Sequence, residues 1–231
     1  MPENLILIPG MLCNAELYTP QIEFFDARYD VTVADHTGLG DMGEIAERIL
    51  ATAPERFSLA GLSMGGFISF EILRRAPERV ERLALLDTAA RAPREDQKDQ
   101  HRFFNAMAEK DGMTPVLDVV VPVCLYPARI NDEKLVGAVR SMMEKTGVEN
   151  FVHQQNAIIE RQDARADLGA ITCPTVVIVG AEDAVTPPKL SEEIVDGIAG
   201  AKLEIIPECG HIATLERPDA VNAVLANWLE G

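Results

Sequence analysis

The sequence predicts an α/β fold in which a mostly parallel sheet of about six strands is flanked by helices and carries an inserted helical lid. Six short apolar runs are separated by segments whose apolar residues recur three and four positions apart. This alternation is typical of parallel strands connected by helices that cover the sheet. The chain has 231 residues, a length that can bury a large core and favours one domain.

The predicted strands are apolar runs bounded by polar or turn-forming residues. They occupy residues 5–8, 31–34, 57–60, 83–86, 176–179 and 203–206. Amphipathic helices are predicted at residues 45–50, 67–75, 190–198 and 220–229. Pro77 marks the end of the second of these helices, and Pro218 the approach to the last.

One long stretch, between Asp87 and Ile171, contains no clear strand. Charged sequence with helical periodicity surrounds an apolar run at residues 116–125. Prolines punctuate that run at Pro115, Pro122 and Pro127. Because proline disrupts a central strand, short helices or a loop are favoured. We therefore expect a core of residues 1–90 and 171–231, with a helical lid at residues 91–170.

Composition excludes several classes of partner. The chain has 21 basic and 37 acidic residues, and its net charge of -16 opposes nucleic acid and anionic membranes. A small anionic substrate stays possible because the local field in a cleft can differ in sign from the overall charge. We expect a small-molecule substrate and a monomer or homodimer.

The cysteines and the amino terminus bear on the cellular compartment. The four cysteines, Cys13, Cys124, Cys173 and Cys209, are widely spaced and form no C-x-x-C pair. They are interpreted as reduced thiols packed in the core. The first residues are acidic, and no apolar run is long enough for an export signal or a membrane span. These features predict a cytoplasmic protein.

The most informative motif is Gly61-Leu62-Ser63-Met64-Gly65, which fits G-x-S-x-G between a predicted strand and a predicted helix. That context is required of a nucleophile elbow, a tight turn that leaves the serine hydroxyl exposed at its apex. The alternative is a glycine-rich turn whose serine caps the following helix. A further match, G-x-G-x-x-G at residues 38–43, begins too far beyond its strand, and the next strand ends without an acid for a ribose.

A serine hydroxyl needs a histidine to take its proton and a carboxylate to orient that histidine. Asp183 and His211 each follow a predicted strand, as Ser63 does, and sites form at such strand ends. Asp87 is the rival acid because it also ends a strand. His36 is interpreted as structural, whereas His101 and His153 fall in the lid on a face expected to be solvated, with contact with substrate as the alternative.

The chain resembles the α/β-hydrolase superfamily through three motifs: G-L-S-M-G-G at Ser63, G-A-E-D-A-V-T-P at Asp183 and G-H-I-A-T-L-E-R-P at His211. The resemblance covers nearly the whole chain except the lid. It implies an oxyanion hole formed by the backbone N–H groups of Met11 and Met64. Leu12 would replace Met11 if the loop after the first strand is shifted by one residue. The sequence departs from the family where Pro9-Gly10 replaces His-Gly, which argues against the lipase-like H-G-G-G subgroup.

These motifs predict a serine hydrolase that cleaves a small ester, thioester or lactone through an acyl-enzyme on Ser63, without cofactor or metal. Carbon-carbon bond hydrolysis, perhydrolysis and a ligand receptor on the same scaffold stay open. Arg91 and Arg94 are interpreted as exposed loop residues, with anchoring of a substrate carboxylate as the alternative. Apolar lid residues could form a pocket wall or pack against the core: Phe103, Phe104, Met107, Val119, Leu125 and Phe151.

Overall fold

The computed structural model describes residues 3–231, which form six strands in one sheet, all parallel, in the order β2-β1-β3-β4-β5-β6. The strands are β1 Glu3–Ile8, β2 Tyr29–Val33, β3 Phe57–Leu62, β4 Val80–Leu86, β5 Thr175–Gly180 and β6 Lys202–Ile206. Each overlaps one of the six predicted runs. The predicted fold class is confirmed.

Helices cover both faces of this sheet. Those outside the insertion are α1 Thr19–Phe25, α2 Met42–Thr52, α3 Met64–Arg75, α8 Pro188–Gly197, α9 Ala213–Glu216 and α10 Pro218–Glu230. Side chains alternate across the strands, so Leu5 and Leu7 of β1 pack with α1 and α10, whereas Ile6 and Ile8 pack with α2 and α3. The sheet is therefore the middle layer of a three-layer core.

The strand-free stretch is a helical insertion between β4 and β5. Its helices are α4 Glu95–Asp111, α5 Met113–Cys124, α6 Glu133–Glu144 and α7 Gly147–Glu160. The apolar run is helix α5, which has Pro122 inside its last turn. Buried side chains of α5 and α6 belong to the same apolar cluster as β1 and β3, so the insertion packs on the core.

Two further features concern the chain as a whole. Within residues 3–231, no helix combines the length and the apolar character needed to span a bilayer. All four cysteines are free thiols, three of them buried and Cys173 partly so.

Candidate active site

Ser63 occupies a strained turn between β3, which ends at Leu62, and α3, which begins at Met64. Its φ of 54° and ψ of -113° lie where non-glycine residues are rarely found. The turn is tight because a Cβ on Gly61 would lie 2.3 Å from the carbonyl oxygen of Gly65, and one on Gly65 would lie 2.1 Å from that of Ile8. The flanking glycines thus permit the strand-to-helix turn that presents Ser63.

We expect Gly65→Ala to destabilise the protein by about 3 kcal/mol and to displace Ser63, because the new methyl group meets backbone that cannot move aside. Gly137→Ala is the matched control, since its Cβ would meet nothing within 4 Å and alanine is the better helix former. Urea unfolding measures both variants. Equal stability of the two would contradict the close approach at Gly65.

The loops after β3, β5 and β6 bring Ser63, Asp183 and His211 together, although the three residues are far apart in sequence. Oγ of Ser63 lies 2.9 Å from Nε2 of His211, and Nδ1 of His211 lies 2.8 Å from Oδ2 of Asp183. His211 and Asp183 are buried, whereas Ser63 is partly exposed. The arrangement joins a hydroxyl, an imidazole and a carboxylate in one hydrogen-bonded chain.

Asp183 is held by its own loop. Oδ1 accepts backbone N–H bonds from Val185 and Thr186, and Oδ2 accepts the Thr186 hydroxyl at 2.7 Å. Burial opposes ionisation, but the His211 ring and the Thr186 donors more than offset it and lower the pKa of Asp183. Burial likewise opposes protonation of His211, yet the charge of Asp183 raises its pKa. The pair therefore stabilises the imidazolium that forms when the ring takes a proton.

Asp87, the rival acid, is fully buried at the end of β4 with a different set of partners. Its carboxylate accepts the backbone N–H groups of Gly180 at 2.9 Å and Ala213 at 3.3 Å. Burial, reinforced by the neighbouring charge of Asp183, raises the pKa of Asp87 well above its usual range. The structure therefore gives Asp183, and not Asp87, the hydrogen bond to His211.

Of the predicted oxyanion donors, Met11 lies in the loop after β1 and Met64 is the first residue of α3. Within residues 3–231, the backbone N–H groups of Met11 and Met64 donate to no other group, whereas that of Leu12 donates to Oε1 of Gln154 at 2.9 Å. His36 contacts the carbonyl oxygen of Gly10 at 2.9 Å and is buried, in keeping with its structural interpretation. Of the two alternatives in this loop, the geometry leaves Met11 available and occupies Leu12.

Replacement of Gln154 by methionine should destabilise the protein by about 1–3 kcal/mol, because the buried N–H of Leu12 loses its acceptor. The loop that carries Met11 should then shift and lower kcat on an uncharged ester. Urea unfolding and steady-state kinetics test this expectation. Gln154→Glu, which keeps an oxygen acceptor for the N–H of Leu12, is the control; the same loss of kcat in both variants would argue against this expectation.

A cavity of about 280 Å³ opens beside Ser63, between the core and the insertion. Of the six apolar lid residues, Phe104 and Val119 line it. Leu125 and Phe151 are instead buried in the core, Met107 packs partly against it, and Phe103 is largely exposed. The insertion thus contributes part of the cavity wall and part of the packing.

Polar lid residues also reach this cavity. His101, expected on a solvated face, is partly buried, contacts Gln155 and lines the cavity. Burial lowers the pKa of His101, so its ring is neutral at pH 7. Arg91 and Arg94 line the cavity too, but they are ion-paired with Glu193 and Asp96. A third arginine, Arg161, was not among the predicted site residues, and it lines the same wall.

The thiols at the cavity are poor nucleophiles. Cys13 and Cys124 line the cavity wall. Burial raises the pKa of Cys13 to about 12 and that of Cys124 further, so both are neutral thiols at pH 7. In the described part of the chain, no three His, Cys, Asp or Glu side chains are grouped to ligate a metal ion.

Comparison with known proteins places the chain in one family. Residues 5–224 match the model of the alpha/beta hydrolase family. The chain belongs to the α/β-hydrolase family.

Several individual proteins are similar along most of their length. RutD of Azorhizobium caulinodans, a proposed carbamate hydrolase, is 28% identical over 97% of this chain and 90% of its own. A pimeloyl-[acyl-carrier protein] methyl ester esterase of Neisseria meningitidis is 21% identical over 99% of this chain and 93% of its own. The enol-lactonase of Burkholderia xenovorans LB400 superposes with a TM-score of 0.92, at 24% identity, over 100% of this chain and 92% of its own.

Proposed function

We propose that the protein is a serine hydrolase that cleaves a small carboxylic ester, thioester or lactone through an acyl-enzyme on Ser63. The observation that carries the proposal is the hydrogen-bonded chain from Ser63 through His211 to Asp183, with distances of 2.9 and 2.8 Å. These are the contacts through which a histidine activates a serine and a carboxylate orients the histidine.

The reaction has two steps. Nε2 of His211 takes the proton of Ser63 as Oγ attacks the carbonyl carbon, and the oxyanion lies between the N–H groups of Met11 and Met64. The protonated ring then gives its proton to the leaving alkoxide or thiolate as the C–O or C–S bond breaks and the acyl-enzyme forms. The resulting alcohol or thiol departs, or, from a lactone, stays attached to the acyl group as a hydroxyl. A water molecule, deprotonated by His211, attacks the acyl carbon and releases the acid and Ser63.

The relatives support hydrolysis of an acyl bond, since their names describe action on a carbamate and on a methyl ester. Carbon-carbon bond hydrolysis and perhydrolysis would use the same three side chains, and a receptor would keep them without turnover. Ser63 is partly exposed at a cavity, where its hydroxyl can reach a carbonyl carbon, and among these activities the names of the relatives favour ester hydrolysis.

The proposal is tested by mass spectrometry after incubation with a fluorophosphonate, which reacts only with activated serines. We expect one adduct, on the peptide that contains Ser63. The rate of p-nitrophenyl acetate turnover should fall in proportion to the fraction of protein that is labelled. Heat-unfolded protein is the control and should not react. Labelling elsewhere, or none in folded protein, would refute the assigned nucleophile.

The pH profile tests the role of His211 separately. The ring must be neutral to accept the proton of Ser63, and its pKa is raised from 6.5 by Asp183. We therefore expect kcat/KM for p-nitrophenyl acetate to fall as the pH drops through a midpoint above 6.5 and to be flat on the alkaline side. A profile with no change between about pH 5 and about pH 9 would exclude histidine as the base.

A further inference from the structure

The cavity beside Ser63 has a charge opposite to that of the molecule. The chain has a net charge of -16, yet the cavity is lined by three arginines, Arg91, Arg94 and Arg161. Among the described residues, no aspartate or glutamate lines it. Low-dielectric clefts lined by charges of one sign concentrate the field and attract the opposite ion. The cavity is thus suited to an anion.

Of the three guanidinium groups, that of Arg161 is the one without a carboxylate partner among the described residues. Arg91 forms two hydrogen bonds with Glu193, and Arg94 forms two with Asp96. Arg161 makes no ion pair with any carboxylate in residues 3–231. Its Nε donates to the carbonyl oxygen of Arg91 at 3.3 Å, and its Nη1 donates to that of Ile158 at 2.9 Å.

The surroundings of Arg161 hold its guanidinium in place. Its Cζ lies 4.1 Å from the centroid of the Phe67 ring, and this stacking fixes the plane of the group. Burial lowers the pKa of Arg161 to about 10, so the group is still charged at pH 7. Nη2 of Arg161 donates to no acceptor among the described residues. It is not among the fully buried atoms that lack a partner, so it is accessible. Arg161, which lines the cavity, therefore has a charged donor that no carboxylate among residues 3–231 occupies.

The position of this donor relates it to the nucleophile. Phe67 lies on α3 one helical turn, about 6 Å of helix, beyond Ser63, and both residues line the cavity. Arg161 begins the segment that follows α7, so the insertion supplies the cation and the core supplies the hydroxyl. A molecule that reaches both must have an acyl carbon at one point and an anion a few bonds away.

We propose that Arg161 binds a carboxylate of the substrate, so that the substrates are short esters or lactones that carry a free carboxylate group. This inference rests on the proposed hydrolase function. Planar guanidinium groups match carboxylates by parallel hydrogen bonds, and a pairing of this kind in a desolvated cavity is strong. The alternative role for Arg161 is to cap α7 through the carbonyl oxygen of Ile158, which would affect charged and neutral substrates alike.

The test compares the monomethyl esters of succinate, glutarate, adipate and pimelate with the corresponding dimethyl esters. The best monoester should have a kcat/KM about 10- to 100-fold above that of its uncharged dimethyl ester. Arg161→Gln should remove this preference by raising KM for the monomethyl esters much more than KM for the dimethyl esters. Arg161→Lys, which keeps the charge and loses the planar group, should retain part of the preference.

Arg94→Gln is the matched control, because it removes one positive charge from the same wall at a residue already paired with Asp96. It should leave the preference intact. The proposal would be overturned if the wild-type protein had a higher kcat/KM for the dimethyl esters. It would also be overturned if Arg161→Gln lowered kcat/KM by the same factor for the monomethyl and the dimethyl esters.

Calorimetry separates this proposal from the hydrolase function. Succinate, glutarate, adipate and pimelate are titrated into Ser63→Ala and into Ser63→Ala/Arg161→Gln. We expect binding of at least one diacid to the first variant and about tenfold weaker binding to the second. If turnover never depends on Ser63, the proposed function fails, but lost diacid binding still supports the carboxylate site. No binding to either variant would refute it.

Discussion

Ser63→Ala should lower kcat on p-nitrophenyl esters by about 10⁶-fold, because it removes the hydroxyl that lies 2.9 Å from Nε2 of His211 and forms the acyl-enzyme. The thiols of Cys13 and Cys124 are neutral, and among residues 3–231 it is the Ser63 hydroxyl that approaches Nε2 of His211. Steady-state kinetics with highly purified protein measure the loss, and fluorophosphonate labelling should disappear with it.

Two further variants test whether the loss comes from the Ser63–His211 pair and not from unfolding of the protein. His211→Ala should lower kcat nearly as far, and the double variant little further, because the two side chains act as a unit. Ser63→Gly should be inactive yet at least as stable as the wild type, since glycine adopts a φ of 54° without strain. Substantial activity in Ser63→Ala, with a folded protein, would rule out the nucleophile assignment.

Asp183→Asn should lower kcat by about 10⁴-fold, since an amide presents the wrong donor to Nδ1 of His211 and no longer stabilises the imidazolium. The backbone donors of Val185 and Thr186 keep an oxygen acceptor in the variant, so the loop should stay in place. The acid limb of the pH profile should also move to lower pH, because the charge that raises the pKa of His211 is gone.

Asp87→Asn is the matched control, with the same change of group at the end of the adjacent strand. Its Oδ1 can still accept the N–H of Gly180, and Asp87 makes no hydrogen bond to His211. We expect less than about a tenfold change in kcat. A larger loss for Asp87→Asn than for Asp183→Asn would reverse the assignment of the acid.

The strands could be predicted because their signal is local. Each buried strand is a continuous apolar run, and the structure differs mainly in where strands begin. β4 begins at Val80 rather than at residue 83, since Glu81 and Arg82 are partly buried strand residues that an apolar run does not include. The strand-free insertion was also visible, because charged helical periodicity and proline both argue against strands.

Side-chain pairing between distant residues could not be predicted in the same way. Arg91 and Arg161 look alike in sequence, and only the fold brings Glu193 to the first and leaves the second without a carboxylate partner among residues 3–231. The acceptor of the Leu12 N–H, Gln154, lies 142 residues along the chain. A motif at the end of a strand can be recognised from neighbouring residues, whereas these partners depend on how the insertion packs on the core.

The attachment of the insertion to the loop of His211 restricts how the protein can change its substrate. The N–H of His211 donates to the carbonyl oxygen of Cys124 at 2.8 Å, and Glu216 accepts the N–H groups of both Tyr126 and Gly210. Residues 124–126 therefore fix the position of the loop that carries His211. If the insertion is replaced by that of another protein, we expect catalysis to be retained only when residues 124–126 are kept or when the new segment reproduces those three hydrogen bonds.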